Sequence, residues 1–205
     1  MFFDDIPPTA DNEPIHPAWL RATHWLNAIA MTLLALSGWR IYDAAPFFGF
    51  AIPGGITLGG WLGGALLWHF AAMWLLVGNG LIYLSCTVAS GRLWRKFFPL
   101  SMRALLADLR AALKGRLSHA DLRRYNTLQR VAYLLVIADA AVLVFSGLVL
   151  WKSVQFPLLR ELCGGYESAR RVHFLAMSAL LAFVTVHLAM VALVPRTLLA
   201  MLRGR

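Results

Sequence analysis

Histidine is the side chain whose placement in this sequence speaks most directly of chemistry. Six occur: His16, His24, His69, His119, His173 and His187. A neutral imidazole offers one ring nitrogen to a metal while the other keeps its proton. His173 and His187 are 14 residues apart, which on an α-helix is just under four turns and a rise of about 21 Å. They therefore project from nearly one face at two depths. His24 and His69 lie in two other apolar stretches, and matching by depth lets His24 meet His187 and His69 meet His173. Two imidazoles from facing helices at each depth form the ligand set of a bis-histidine haem held inside a helical bundle. Full axial coordination leaves no open position on iron, so the chemistry is electron transfer rather than oxygen activation.

A lone histidine in an apolar helix is as often a hydrogen-bonded contact between helices. Four in two depth-matched pairs fit that reading poorly, because unpaired ionisable groups in hydrocarbon are costly. A metal transporter would instead gather its ligands at one depth. His16 and His119 stand outside the pattern and read as solvated or interfacial, with His16 also near enough to edge a quinone pocket. No C-x-x-C-H motif occurs, so haem would be held without covalent attachment, as b-type. Gly38, Gly64, Gly78 and Gly147 are places where a porphyrin could approach backbone. The glycine pairs at 54–55, 59–60 and 63–64 do not form a phosphate-binding loop.

These ligands need helices that cross a membrane. The 205 residues are 60% hydrophobic and 14% charged, with a mean hydropathy of +0.65. That composition excludes an ordinary soluble domain. Four apolar stretches, 20–39, 61–84, 128–151 and 172–194, reach the roughly 20 residues a bilayer requires. Trp19, Trp39, Trp61, Trp94 and Trp151 mark their ends as interfacial aromatics, and Pro195 closes the last. The fold class expected is an all-α, integral-membrane four-helix bundle binding two b haems, with residues 20–205 as one domain. Residues 1–19 form a cytoplasmic N-terminal segment whose acidic, proline-rich opening lacks the pattern of a secretory signal.

Ten lysines and arginines fall between Arg92 and Arg130, against Asp108 and Asp121 alone. The positive-inside rule makes this segment, and with it both termini, cytoplasmic. An anionic-lipid or nucleic-acid patch is the other reading of the same charges; topology accounts for them without a nucleic acid. On this topology Cys86 and Cys163 lie on opposite faces, too far apart for a disulfide.

A weak internal repeat runs through the chain. His24 precedes Ser37-Gly38 by 13 residues, as Tyr133 precedes Ser146-Gly147. His69-Phe70-Ala71-Ala72-Met73 matches His173-Phe174-Leu175-Ala176-Met177, and Tyr83 stands where the second copy has His187. Two hairpins of common ancestry would produce this, and so would chance likeness between apolar helices.

The arrangement resembles the di-haem cytochrome b561-type proteins of bacteria, among them the membrane cytochrome b subunits of nickel-iron hydrogenase, formate dehydrogenase and thiosulfate reductase. The carriers are His24-Trp25, Ser37-Gly38, His69-Phe70, Tyr125-Asn126 with Gln129, and the His173/His187 pair. The resemblance implies the same ligand pairing. It also implies a quinone site near the cytoplasmic haem, at the start of the third span, matched here by Asn126 and Gln129. A helix cap is the alternative for those two, and the family's usual glycine after that asparagine is absent. Arg21, Arg40 and Arg171, with Arg130 and Arg170, sit at depths suited to haem propionates, or to lipid headgroups by snorkelling. Asp139, deep in the third span, is a proton-relay candidate or a protonated interhelical contact.

Two functions follow as expectations. One is the cytochrome b subunit of an oxidoreductase complex in the bacterial inner membrane. It would pass electrons between membrane quinone and a periplasmic partner, a molybdenum enzyme or a c-type cytochrome, through haems about 20 Å apart. The other is a stand-alone superoxide:quinone oxidoreductase, with Arg40, Lys152, Arg160, Arg170 and Arg171 drawing the anion to the outer face. The sequence assigns no catalytic residue and leaves electron direction and oligomeric state open.

Overall fold

The computed structural model describes residues 15–115 and 126–204. The tail at 1–14, Arg116, His119, Asp121, Arg123, Arg124, Tyr125 and Arg205 lie outside the described residues. Those described form helices without strands: α1 (Ala18–Ala44), α2 (Leu62–Ala89), α3 (Arg92–Phe97), α4 (Met102–Leu113), α5 (Thr127–Trp151), α6 (Pro157–Leu162), α7 (Tyr166–Leu193) and α8 (Arg196–Arg203). The four long helices overlap the four expected stretches, with ends that differ from them by up to six residues. Three, α2, α5 and α7, are long and apolar enough to cross a membrane by length and composition. α1 has 27 residues but is less apolar, since Arg21, His24, Asn27, Arg40 and Asp43 interrupt it.

The chain divides into two compact units, residues 1–91 with 199–205, and residues 92–198. In the first, α1 and α2 pack antiparallel through small side chains. Thr23, Ala30 and Ser37 on α1 and Ala65, Ala72 and Asn79 on α2 are all buried, and each set recurs every seven residues. Small residues let two helix backbones approach closely where no hydrophobic effect drives them together. The polar members are bonded across the seam: the Asn79 amide donates to the Thr23 carbonyl and to Asn27 Oδ1, both at 2.7 Å. In the link between the helices, Tyr42 donates to the carbonyls of Phe48 and Phe50, and Asp43 accepts from the Ile52 amide at 2.8 Å. Arg21 Nη1 donates to the Leu202 carbonyl at 2.7 Å, and the Ile15 amide bonds the Gly204 carbonyl. A cation at a helix C-terminus is favourable against the helix dipole.

In the second unit α5 packs against α7, again through small and polar positions: Ser146, Val149, Ala169, Ala176 and Leu180 are buried. Ala169 and Ala176 take the places that Ala65 and Ala72 hold in the first unit, counted from His173 and His69, and Ser146 follows Tyr133 by the 13 residues that separate Ser37 from His24. Large apolar residues such as Leu67 (73% exposed), Trp74, Leu135 and Leu175 point outward from the long helices. Exposure of that kind requires an apolar solvent.

The start of α5 is closed by side chains. Asn126 Oδ1 accepts from the Gln129 amide at 2.7 Å and Gln129 Oε1 accepts from the Asn126 amide at 3.1 Å, a complete capping box. Asp108 on α4 accepts from the Thr127 and Leu128 amides. Together they satisfy the first N–H groups of a helix that has none of its own turns below it. Asp108→Ala is expected to lower stability by about 1 kcal/mol, read as an earlier thermal loss of helical circular dichroism in detergent; an unshifted transition would show that the carboxylate is dispensable. α4 itself shows an exposed apolar line of Met102, Leu106, Leu109 and Leu113 beside Arg103 and Arg110.

Candidate functional site

The first unit brings His69 on α2 to Ser37 on α1. Ser37 Oγ donates to the Leu33 carbonyl at 2.6 Å, the usual back-bond of a helical serine. Its proton committed, the oxygen faces His69 Nδ1 at 3.0 Å as an acceptor. The proton of the neutral ring is therefore assigned to Nδ1 and the lone pair to Nε2.

The second unit repeats this arrangement. Ser146 Oγ donates to the Val142 carbonyl at 2.6 Å and faces His173 Nδ1 at 2.9 Å. Both serines are buried, Ser37 at 0% and Ser146 at 1% exposure. The glycine after Ser146 matters as well: a Cβ at Gly147 would lie 3.3 Å from His173 Cε1, so glycine gives the ring its place against the helix. The internal repeat is thus a repeat of one hydrogen-bonded unit, a serine on the first helix of a hairpin orienting a histidine on the second. Its two copies differ at the other depth. His24 on α1 lies edge-on to Trp25 and His187 on α7 stacks on Phe183 at 6.0 Å. At the equivalent positions stand Tyr133, edge-on to Phe97, and Tyr83, against Trp19.

Each unit therefore supplies two imidazoles at two depths: His24 and His69 from the first, His173 and His187 from the second. Two neutral imidazoles with the proton fixed at Nδ1 are the donor set that axial coordination of haem iron uses, and orientation of the second ring nitrogen is the usual device for it. The residues fit the group.

Other expected site residues have local partners of their own. Asn126 and Gln129 hold the α5 capping box, which is the structural one of the two roles open to them. Arg21, three residues before His24, spends Nη1 on Leu202 while its buried Nε–H finds no hydrogen-bond partner among the described residues. A buried donor of that kind suits a carboxylate. Arg40 lies three residues beyond Ser37 on α1, and Arg171 is exposed two residues before His173. Arg130 donates to the Pro99 carbonyl and Arg170 pairs with Glu167 at 3.1 Å. A Cβ on Gly64 would run into the Gly59 carbonyl, so glycine there serves the junction into α2. Asp139 occupies the seam position of Ala30 in the repeat, and its Oδ2 is buried without a hydrogen bond among the described residues. Cys86 and Cys163 are both free thiols.

The roles of Ser37 and Ser146 toward the histidines, and the Asn27–Asn79 bridge, do not emerge from the sequence reading. The recurring Ser-Gly pair was the available signal for the first, and polar residues on an apolar helix for the second.

Residues 15–204 match the family described as prokaryotic cytochrome b561. The chain is 74% identical over 190 residues to a protein of Azospira oryzae described as a putative protein-methionine-sulfoxide reductase subunit, YedZ1, covering 93% of this chain and 96% of that protein. No solved structure matches.

Proposed function

The chain belongs to the prokaryotic cytochrome b561 family, and on that premise we propose that it is the membrane half of a two-part reductase. In this reading it carries electrons from quinol in the bilayer to a soluble reductase subunit on the periplasmic side. As a family member it is a b-type haem protein of the bacterial inner membrane, multi-pass, and serves electron transfer. The observation that carries the finer reading is its likeness over nearly its whole length to the Azospira oryzae reductase subunit.

The proposed topology has four crossings. α1 bonds to α2 near both ends of their seam, at Thr23–Asn79 and at Ser37–His69, so a bilayer that holds α2 holds α1. The basic segment from Arg92 to Arg130 then lies in the cytoplasm with both termini. His24 and His187 form the ligand pair on that side, and His69 and His173 the pair nearer the periplasm. Haem bound between such pairs supplies reversible one-electron chemistry and, fully coordinated, no site for oxygen.

The chain's own residues do the rest. The serines point the His69 and His173 rings, the apolar faces of α2, α5 and α7 keep water from them, and Arg21, Arg40 and Arg171 provide cations for propionates. The quinone site belongs at the start of α5, where Asn126, Gln129 and Asp108 fix the helix end that shapes it. The soluble partner is a subunit that reduces oxidised methionine in proteins, of the molybdenum-enzyme class. Each sulfoxide reduced to methionine and water consumes two electrons and two protons.

Liposomes holding the chain, a reduced quinone and a methionine-sulfoxide peptide test this. Peptide reduction is expected only when a soluble methionine-sulfoxide reductase subunit of the molybdenum class is added. Quinol that reduces the haems without any sulfoxide turnover on adding that subunit would overturn the assignment of partner. Reduction of the purified chain by superoxide, with quinol formed, would install the stand-alone oxidoreductase in its place.

A further inference from the structure

Two serines in separate hairpins make the same bond to two histidines, and this equivalence has a consequence for the haem those histidines hold. A serine hydroxyl carries one proton. At 2.6 Å from a carbonyl in each case, that proton is committed, and donating it makes the oxygen a better acceptor. Accepting the Nδ1–H at 3.0 and 2.9 Å moves electron density toward Nε2, which strengthens the ring as a donor to iron and favours the higher charge on the metal. The same bond holds each ring plane against rotation. Full burial of both serines leaves no water to compete for the contact.

We propose that Ser37 and Ser146 are a matched pair of positioning residues that fix the tautomer and ring plane of His69 and His173 and hold down the reduction potential of the single haem these two imidazoles ligate. The proposal rests on the two-haem reading above. The tuning assigned here is that of the haem of His69 and His173, the two rings that Ser37 and Ser146 face.

The test is a redox titration of the purified two-haem protein, followed optically and by low-temperature electron paramagnetic resonance. Removing the acceptor weakens both ligands as donors to ferric iron, so the potential should rise. In S37A/S146A the oxidised-to-reduced ratio of one haem at a fixed ambient potential is expected to fall about tenfold, which for a one-electron couple is about 59 mV. Each single variant should give part of this shift, and the other haem serves as the internal reference. Because alanine leaves a gap, S37C and S146C provide near-isosteric variants with a weak acceptor; they should shift the same haem in the same direction. S37T and S146T, which keep the hydroxyl, should restore the wild-type potential and g-values.

The proposal is overturned if two haems remain and neither alanine nor cysteine variants move a midpoint or a g-value. It also falls if threonine fails to restore what alanine removes. Failure of the underlying reading looks different: the wild-type protein would hold fewer than two haems, or the shifted haem would be the one that survives in His69→Ala.

Discussion

Replacing His69 with alanine is expected to halve the haem content of the purified protein, from two b haems per chain to one, and His173→Ala should remove the same haem. The argument is coordinative. A haem held by two imidazoles would lose one of its two anchoring bonds when either ligand goes, and the single bond left would not keep it through purification. His24→Ala and His187→Ala should likewise act on one haem, and it should be the other. Because partners on one haem fail together, the double variant His69→Ala/His173→Ala should lose no more than either single change. His24→Ala/His69→Ala should lose both haems. Haem quantification with the low-spin absorbance band reads all of these. If His69→Ala and His173→Ala removed different haems, the pairing would be wrong, even with every histidine a ligand.

The second large effect is steric and sits at the entrance to α2. Gly59 has φ +108°, and a Cβ on it would run into the backbone of Gly64 and Ala65. Facing it, a Cβ on Gly64 would run into the Gly59 carbonyl. The junction is held by the Trp61 amide on the Gly59 carbonyl at 2.8 Å and by the Leu58 amide on the Leu36 carbonyl at 3.0 Å. It sets where α2 begins, and His69 is the eighth residue of that helix. Gly59→Val adds backbone strain of about 1–3 kcal/mol to an overpacking cost of similar size. A cost of that order removes a large share of the stability of an ordinary domain. Little folded, haem-loaded protein should accumulate. Gly60→Ala is the control: its φ is +71° but nothing lies within 4 Å of the added carbon, so only the backbone term applies, about 1–2 kcal/mol. Equal yields and equal thermal loss of low-spin haem in the two variants would refute the steric account.

Much of this protein is legible in one dimension. Hydropathy is a property of each stretch alone, so the apolar lengths of α2, α5 and α7 stand in the sequence, and their physical cause is the thickness of hydrocarbon. α1 was readable by length and aromatic ends more than by apolarity, since its buried face must carry Thr23, Asn27 and Ser37 for contacts with α2. The helical period is local too, which is why His173 and His187 could be set on one face at two depths. The capping box at Asn126 and Gln129 belongs to a single turn, and its residues alone select it.

What crosses from one helix to another was decided by the fold. That Ser37 reaches His69, 32 residues away, depends on the register between α1 and α2, and that register comes from small residues meeting every second turn along the seam. The same holds for Ser146 and His173. A Ser-Gly pair in the sequence marks a repeat without saying what the hydroxyl touches. Arg21 illustrates the reverse case: its depth suggested a propionate, and the fold brings the Leu202 carbonyl of α8 to it from the far end of the chain. The sequence by itself determined which side chains carry a ligating nitrogen and how far along their helices they stand, because both are properties of single helices. Only the tertiary structure decided which polar atoms orient those side chains, because a hydrogen bond a few ångströms long requires two backbones to be brought together first.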